Sequence, residues 1–141
     1  MQITGASNYR QNIIALLKAE KLPVSDLPAT LENFLTAIDN DQVTGVAGLE
    51  IYGDYGLLRS VAVPLRLRGQ GIAGKLLGQI EMLAIAKNLK EIYLLTETAP
   101  DYFKRKGYIQ ITRMDVPAEV QRSSEFSYAC PQSATVMKKS L

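Results

Sequence analysis

Apolar and polar positions along this chain change their period several times, and each change marks an element. Residues 1–4 read as a short strand. From Tyr9 to Glu20 the apolar residues Ile13, Ile14, Leu16 and Leu17 fall at helical spacing, which predicts a helix capped by Asn8. Pro23 and Pro28 bound a loop. Leu31, Phe34, Leu35 and Ile38 share one helical face and predict a second helix, begun by Thr30 and running to about Asn40. Gln42 to Tyr52 carries Val43, Val46, Leu49 and Ile51 and reads as a strand. Gly53-Asp54-Tyr55-Gly56 is turn chemistry. Leu57 to Val63 is the next strand, ended by Pro64.

After a glycine-rich stretch, Ile72, Leu76, Ile80, Leu83 and Lys87 recur every three or four residues, predicting a helix to about Asn88. Glu91 to Thr96 reads as a buried strand. Pro100 opens a helix that Gly107 closes. Tyr108 to Arg113 is a strand, Pro117 to about Phe126 a short helix, and Ala134 to Lys138 a last strand. The order is mixed α and β, an α+β class, with at least one strand–helix–strand crossover.

Composition narrows the chemistry. The 141 residues fit one domain and need no disulfide staples to fold. Histidine is absent, which excludes Ser-His-Asp and Cys-His catalysis, histidine metal sites and an imidazole base. The single cysteine, Cys130, excludes an internal disulfide and a thiolate zinc cage, and reads as a small buried hydrophobe. No metal is expected. No charged-then-apolar leader and no membrane-length apolar run are seen, so a cytoplasmic location without membrane association is expected.

The net charge of +2 conceals an asymmetry: residues 1–58 hold 3 basic and 7 acidic side chains, residues 59–141 hold 13 and 7. The basic half suits a polyanion such as a phosphorylated cofactor. Its arginines and lysines are not interleaved with stacking aromatics, so no nucleic-acid partner is expected.

The segment Val61-Ala-Val-Pro-Leu-Arg-Leu-Arg68-Gly69-Gln70-Gly71-Ile72-Ala73-Gly74-Lys75 concentrates the chemistry. A strand ends, three glycines follow within six residues, and an amphipathic helix begins. Glycines let backbone approach a ligand closely, and a helix N-terminus offers unpaired N–H groups to an anion. The segment is not a P-loop, since Leu76 follows Lys75 where a hydroxyl would hold magnesium. Gly69, Gly71 and Gly74 match the dinucleotide spacing, but no acidic residue stands suitably downstream.

Arg68-x-x-Gly71-x-Ala73, between a strand and a helix, resembles the acetyl-CoA signature of the GCN5-related N-acetyltransferases, the GNAT family. Ala99-Pro-Asp-Tyr-Phe-Lys-Arg-Lys-Gly107-Tyr108 resembles that family's second motif. The likeness spans essentially the whole chain, including an order that begins with two helices. It implies the GNAT fold over residues 1–141, a twisted mixed sheet flanked by helices. The stretches Tyr55–Val63, Tyr93–Ala99 and Phe126–Met137 further resemble small GNAT proteins encoded in bacterial arsenic-resistance operons.

The resemblance implies an enzyme with acetyl-CoA as co-substrate. The pyrophosphate would lie on backbone amides of Arg68, Gly69, Gln70, Gly71, Ile72, Ala73 and Gly74. The pantetheine arm would run along Val61, Ala62 and Val63. Thr96 stands where many members place a pantetheine-contacting asparagine. A small-molecule amine is the expected acceptor, since an α-amino group of pKa about 7.7–8.0 needs less help to deprotonate than a lysine. Glu50 is the leading candidate for the base and Glu97, which would also face the acceptor, the second. A solvated or salt-bridged carboxylate is the ordinary alternative for either. Many members carry a thiolate-protonating tyrosine where this chain has Phe103, next to the cofactor; Tyr102 is the candidate to replace it. Arg59 would either clamp an acceptor carboxylate or be a surface arginine paired with an acid. A homodimer is in keeping with the family. The alternatives are a protein or peptide acetyltransferase and a non-catalytic acyl-CoA-binding regulator.

Overall fold

The computed structural model describes residues 1–129 and 133–141; Cys130 lies outside the described residues. Seven strands form one mixed sheet in the order β1-β2-β3-β4-β5-β7-β6: β1 Gln2–Gly5, β2 Phe34–Asp39, β3 Gln42–Tyr52, β4 Tyr55–Ala62, β5 Glu91–Thr96, β6 Ile109–Ile111 and β7 Thr135–Ser140. The helices are α1 Arg10–Ala19, α2 Ile72–Ala86, α3 Pro100–Arg105 and α4 Ala118–Gln121. The chain divides into two compact units, Met1–Leu49 with Ser60–Leu83, and Glu50–Arg59 with Ala84–Leu141.

In the first unit β2 pairs antiparallel with both β1 and β3, through Gly5↔Leu35 and Phe34↔Gly48 among others. The expected helix from Thr30 to Asn40 is not formed; most of that segment is β2. Its apolar spacing fits the helical period, but Phe34, Thr36 and Ile38 are aromatic or β-branched types that suit a pleated surface. The signal that decides for a hairpin is the pair after it. Asn40 and Asp41 adopt φ of 51° and 63° between the paired residues Asp39 and Gln42. Two positive φ values in a two-residue loop are the twist an antiparallel hairpin favours, and Asn and Asp tolerate them best.

α1 buries Ile13, Leu16 and Leu17 against Ala6, Leu27, Leu31, Phe34, Val46 and Ala62. Asn8 does not cap it: that residue lies in a 3-10 turn, Ser7–Tyr9, and Tyr9 takes the cap position without a side-chain bond. Two glycines of β3 are required by close approach. A Cβ on Gly48 would stand 2.4 Å from the Phe34 ring, and one on Gly45 2.9 Å from both Ile72 and Leu76. The bulk that β3 lacks is thus supplied by its neighbours.

In the second unit β5 pairs parallel with β4 over Tyr55–Leu57 and antiparallel with β7 along its whole length. β6 adds to the far edge of β7. Leu57, Tyr93, Val116, Val120, Phe126 and Val136 form the core. α3 begins at Pro100 and closes as its sequence predicts. Gly107 adopts φ 95°, its N–H donates to Lys104 O at 3.1 Å, and Tyr108 N–H donates to Phe103 O at 3.0 Å. This is the Schellman closure, which satisfies two carbonyls the helix end would otherwise orphan. The strand expected to Arg113 stops at Ile111, because Thr112 and Asp115 form a capping box that starts a 3-10 turn. The helix expected from Pro117 to Phe126 breaks into α4 and a π turn, Glu125–Ala129.

Candidate active site

The first unit holds the glycine loop expected to bind an anion. β4 ends at Ala62, Pro64 turns the chain, and a 3-10 turn at Leu65–Leu67 leads into Arg68. Gly69 and Gly71 follow with φ of 84° and 83°, a region L-residues avoid. A Cβ built on either meets nothing within 4 Å, so the loop's outer face is open backbone. α2 then begins: Lys75 N–H donates to Gly71 O at 3.1 Å, and by helix geometry the N–H groups of Ile72, Ala73 and Gly74 have no acceptor one turn back. An open loop of left-handed glycines feeding the N-terminus of a 15-residue helix fits a diphosphate.

The Arg68 side chain is tied down. Its Nε donates to Val63 O at 3.1 Å, and its Nη2 pairs with Glu20 at the end of α1. Lys75 is exposed in the first turn of α2. Ala62 and Val63 are buried, and Val61 is partly exposed.

Ser60 sits inside β4 with φ 57°. A serine in the left-handed region within a strand is strained, and such strain persists where the surroundings enforce it. It falls between Arg59 and Val61, at the join between the residues expected to meet acceptor and cofactor.

The second unit holds the remaining candidates. Glu50 and Tyr52 lie two apart on β3, hence on one face. Tyr52 Oη donates to Glu50 Oε1 at 2.6 Å, and Arg59 Nη1 donates to Glu50 Oε2 at 3.1 Å. Glu125 Oε1 lies 3.6 Å from Arg59 Nε. The Arg59 side chain has 0% of its surface exposed, against 11% for Glu50 and 7% for Glu125. The expectation of a surface arginine is therefore corrected: Arg59 is buried because two carboxylates accompany it. The alternative of a clamp for an acceptor carboxylate meets a guanidinium already engaged by two.

Thr96 is buried, and its Oγ1 accepts the Ala99 N–H at 3.1 Å, holding the turn that leads into α3. Glu97 is exposed on that turn. Phe103 is buried, with edge-on contacts to Tyr102 at 5.3 Å and Tyr108 at 5.7 Å between ring centroids. It is a packing residue in this arrangement. Tyr102 stays partly exposed, yet its hydroxyl is buried without a hydrogen-bond partner among the described residues. Burial raises the hydroxyl's pKa, and the Arg105 charge offsets part of that rise. Tyr102 therefore keeps its proton at neutral pH and has a donor to give.

Sequence reasoning missed Glu125, Tyr52, Glu20 and the Ser60 backbone. No spacing connects residue 125 with residue 59, and a serine in a strand carries no mark of positive φ. Tyr52 had a signal: two residues after Glu50 on a predicted strand, it had to share that face.

The family model described as the acetyltransferase (GNAT) domain matches residues 30–110, more than half of the chain. The chain belongs to the GNAT acetyltransferases and is an N-acetyltransferase. Its fold is similar to Rv2747 from Mycobacterium tuberculosis, solved with CoA and NLQ, at 25% identity and a TM-score of 0.83, covering 100% of this chain and 99% of that one. It is also similar to N-acetylglutamate synthase from Neisseria gonorrhoeae, solved with coenzyme A and L-arginine, at 17% identity and a TM-score of 0.84. There the match covers 99% of this chain but 33% of the synthase, so this chain spans about a third of that protein. A GNAT-family acetyltransferase from Staphylococcus aureus Mu50 matches at 23% identity and a TM-score of 0.78, over 99% and 98% of the two chains. Among the described residues no helix is long and apolar enough to cross a membrane.

Proposed function

We propose that the protein transfers the acetyl group of acetyl-CoA to the amine of a small molecule, an amino acid or an amino-acid-like compound. The observation that carries the cofactor half is the open loop at Gly69 and Gly71, both with positive φ, at the start of α2. Arg68 through Gly74 would hold the diphosphate on backbone N–H groups, and Val61–Val63 would take the pantetheine arm. Acetyl-CoA supplies a thioester whose carbonyl the amine attacks, with loss of the thiolate. Tyr102 would donate the proton to that thiolate, a reading supported by a hydroxyl that is buried, protonated and unpartnered among the described residues. Phe103 shapes the same helix by packing under Tyr102. Thr96 has its oxygen committed to Ala99, leaving its hydroxyl proton to offer.

The acceptor half is supported by the neighbours, one solved with CoA and NLQ and another a synthase of N-acetylglutamate solved with CoA and N-acetyl-glutamate. Glu50 is the carboxylate on the acceptor side, held at both oxygens, with Glu97 as an exposed second. The likeness of Tyr55–Val63, Tyr93–Ala99 and Phe126–Met137 to proteins of arsenic-resistance operons adds toxic amino-acid analogues to the acceptor class.

The test is thiol release from acetyl-CoA with three acceptor sets: free amino acids, small amines without a carboxylate, and lysine peptides. Turnover confined to the small acceptors is expected. Turnover of the peptides alone overturns the small-molecule assignment.

A further inference from the structure

We propose that Glu125 is a positioning residue for acetyl transfer: it braces Arg59, which in turn fixes the carboxylate of Glu50. The inference rests on Glu50 being the acceptor-side carboxylate. A guanidinium keeps its charge at any ordinary pH, so the fully buried Arg59 needs a partner. One carboxylate meets that need. The chain brings two, from elements far apart in sequence: Glu50 on β3 and Glu125 on the π turn after α4, each beside a different nitrogen of Arg59. A second nearly buried carboxylate adds desolvation cost that an apolar side chain would avoid, so packing alone does not account for it.

What the second carboxylate changes is the first one's surroundings. Arg59 is held from two sides and cannot rotate away from Glu50, while Tyr52 fixes the other Glu50 oxygen at 2.6 Å. Tyr52 on β3, Arg59 on β4 and Glu125 on the π turn are among the side chains that meet at hydrogen-bond or ion-pair distance in this cluster. Among the described residues, the π turn thus reaches the acceptor-side strands through a charge as well as through packing.

Two variants separate this role from simple support. Glu125→Gln keeps an acceptor beside Arg59 but removes the charge that braces it, and Glu125→Asp keeps the charge one methylene further off. The assay is kcat and KM for thiol release by the full chain, with acetyl-CoA affinity by calorimetry and a urea melt on each variant. In Glu125→Gln, kcat falls about tenfold at saturating acceptor, as expected for a misplaced base, while acetyl-CoA affinity stays unchanged. Glu125→Asp recovers part of that loss in kcat, and carries the test should the amide variant not fold. An unchanged kcat in Glu125→Gln, or an aspartate variant no faster than the amide, overturns the proposal. A Glu50→Gln variant that keeps full kcat overturns the assignment of Glu50, and this inference with it, while leaving acetyl-CoA binding intact.

Discussion

Gly71→Ala separates what the loop contributes to folding from what it contributes to binding. At φ 83° an alanine pays the penalty of the left-handed region, about 1–2 kcal/mol. No clash adds to it, since the new Cβ has no neighbour within 4 Å. For a chain of this length that loss lowers Tm by roughly 3–8 °C and leaves the protein folded at room temperature. The effect on acetyl-CoA is larger. The alanine relieves its strain by rotating toward negative φ, which turns neighbouring loop amides away from the phosphates. A hydrogen bond to a charged oxygen is worth about 1.5–3 kcal/mol, so losing one weakens binding roughly 10- to 100-fold. Calorimetric titration with acetyl-CoA, beside a thermal melt, reads both quantities. Gly48→Ala is the control: its Cβ meets the Phe34 ring at 2.4 Å, so it costs about 1–3 kcal/mol of stability through overpacking and leaves the affinity of the folded protein unchanged. If Gly71→Ala melts lower yet binds acetyl-CoA as tightly as the parent, the loop is not the phosphate site.

Other outcomes follow from single residues. Tyr102→Phe removes a hydroxyl that is buried without a partner among the described residues; the ligand-free protein loses no stability and gains up to about 1 kcal/mol, while kcat falls, as denaturant melts and thiol release will show. Arg59→Ala leaves two nearly buried carboxylates without the cation they share and costs about 3–5 kcal/mol in urea unfolding, several times the effect of removing an exposed charge. Glu91 has its pKa lowered, chiefly by the hydrogen bond from Lys138. Its folded pKa lies below its unfolded one, so its contribution is present above the ordinary carboxylate range and is lost as pH falls through the folded value. Glu91→Gln accordingly flattens the acid side of the stability–pH curve, and an unaltered curve refutes the assignment.

Legibility varied with how local the signal was. β3 and β5 have the bounds their patterns predict, since each is a compact run of apolar residues between turn residues. α3 is punctuated by Pro100 and Gly107, whose backbone preferences act on the spot. The glycine loop was legible for the same reason. The segment from Thr30 to Asn40 was not, because its four apolar residues fall at helical spacing and pairing with β1 and β3 overrides that local pattern. Arg59 marks the limit within the site. Its place on a strand was readable from its apolar neighbours, but its burial depends on Glu125, which only the folded chain brings to it. Tyr102 and Phe103 show a third case, in which adjacent aromatics on a short helix divide into one packing ring and one buried hydroxyl. Their order in the sequence does not say which takes which part.

The central claim is that acetyl-CoA is held on the backbone of residues 68–74. Amide hydrogen exchange of the full chain, with and without saturating acetyl-CoA, addresses it directly. The account predicts slowed exchange at Arg68 to Gly74, extending to Val61–Val63, with little change in α1. Protection that leaves these residues untouched, or no protection at a concentration where turnover is seen, would contradict it.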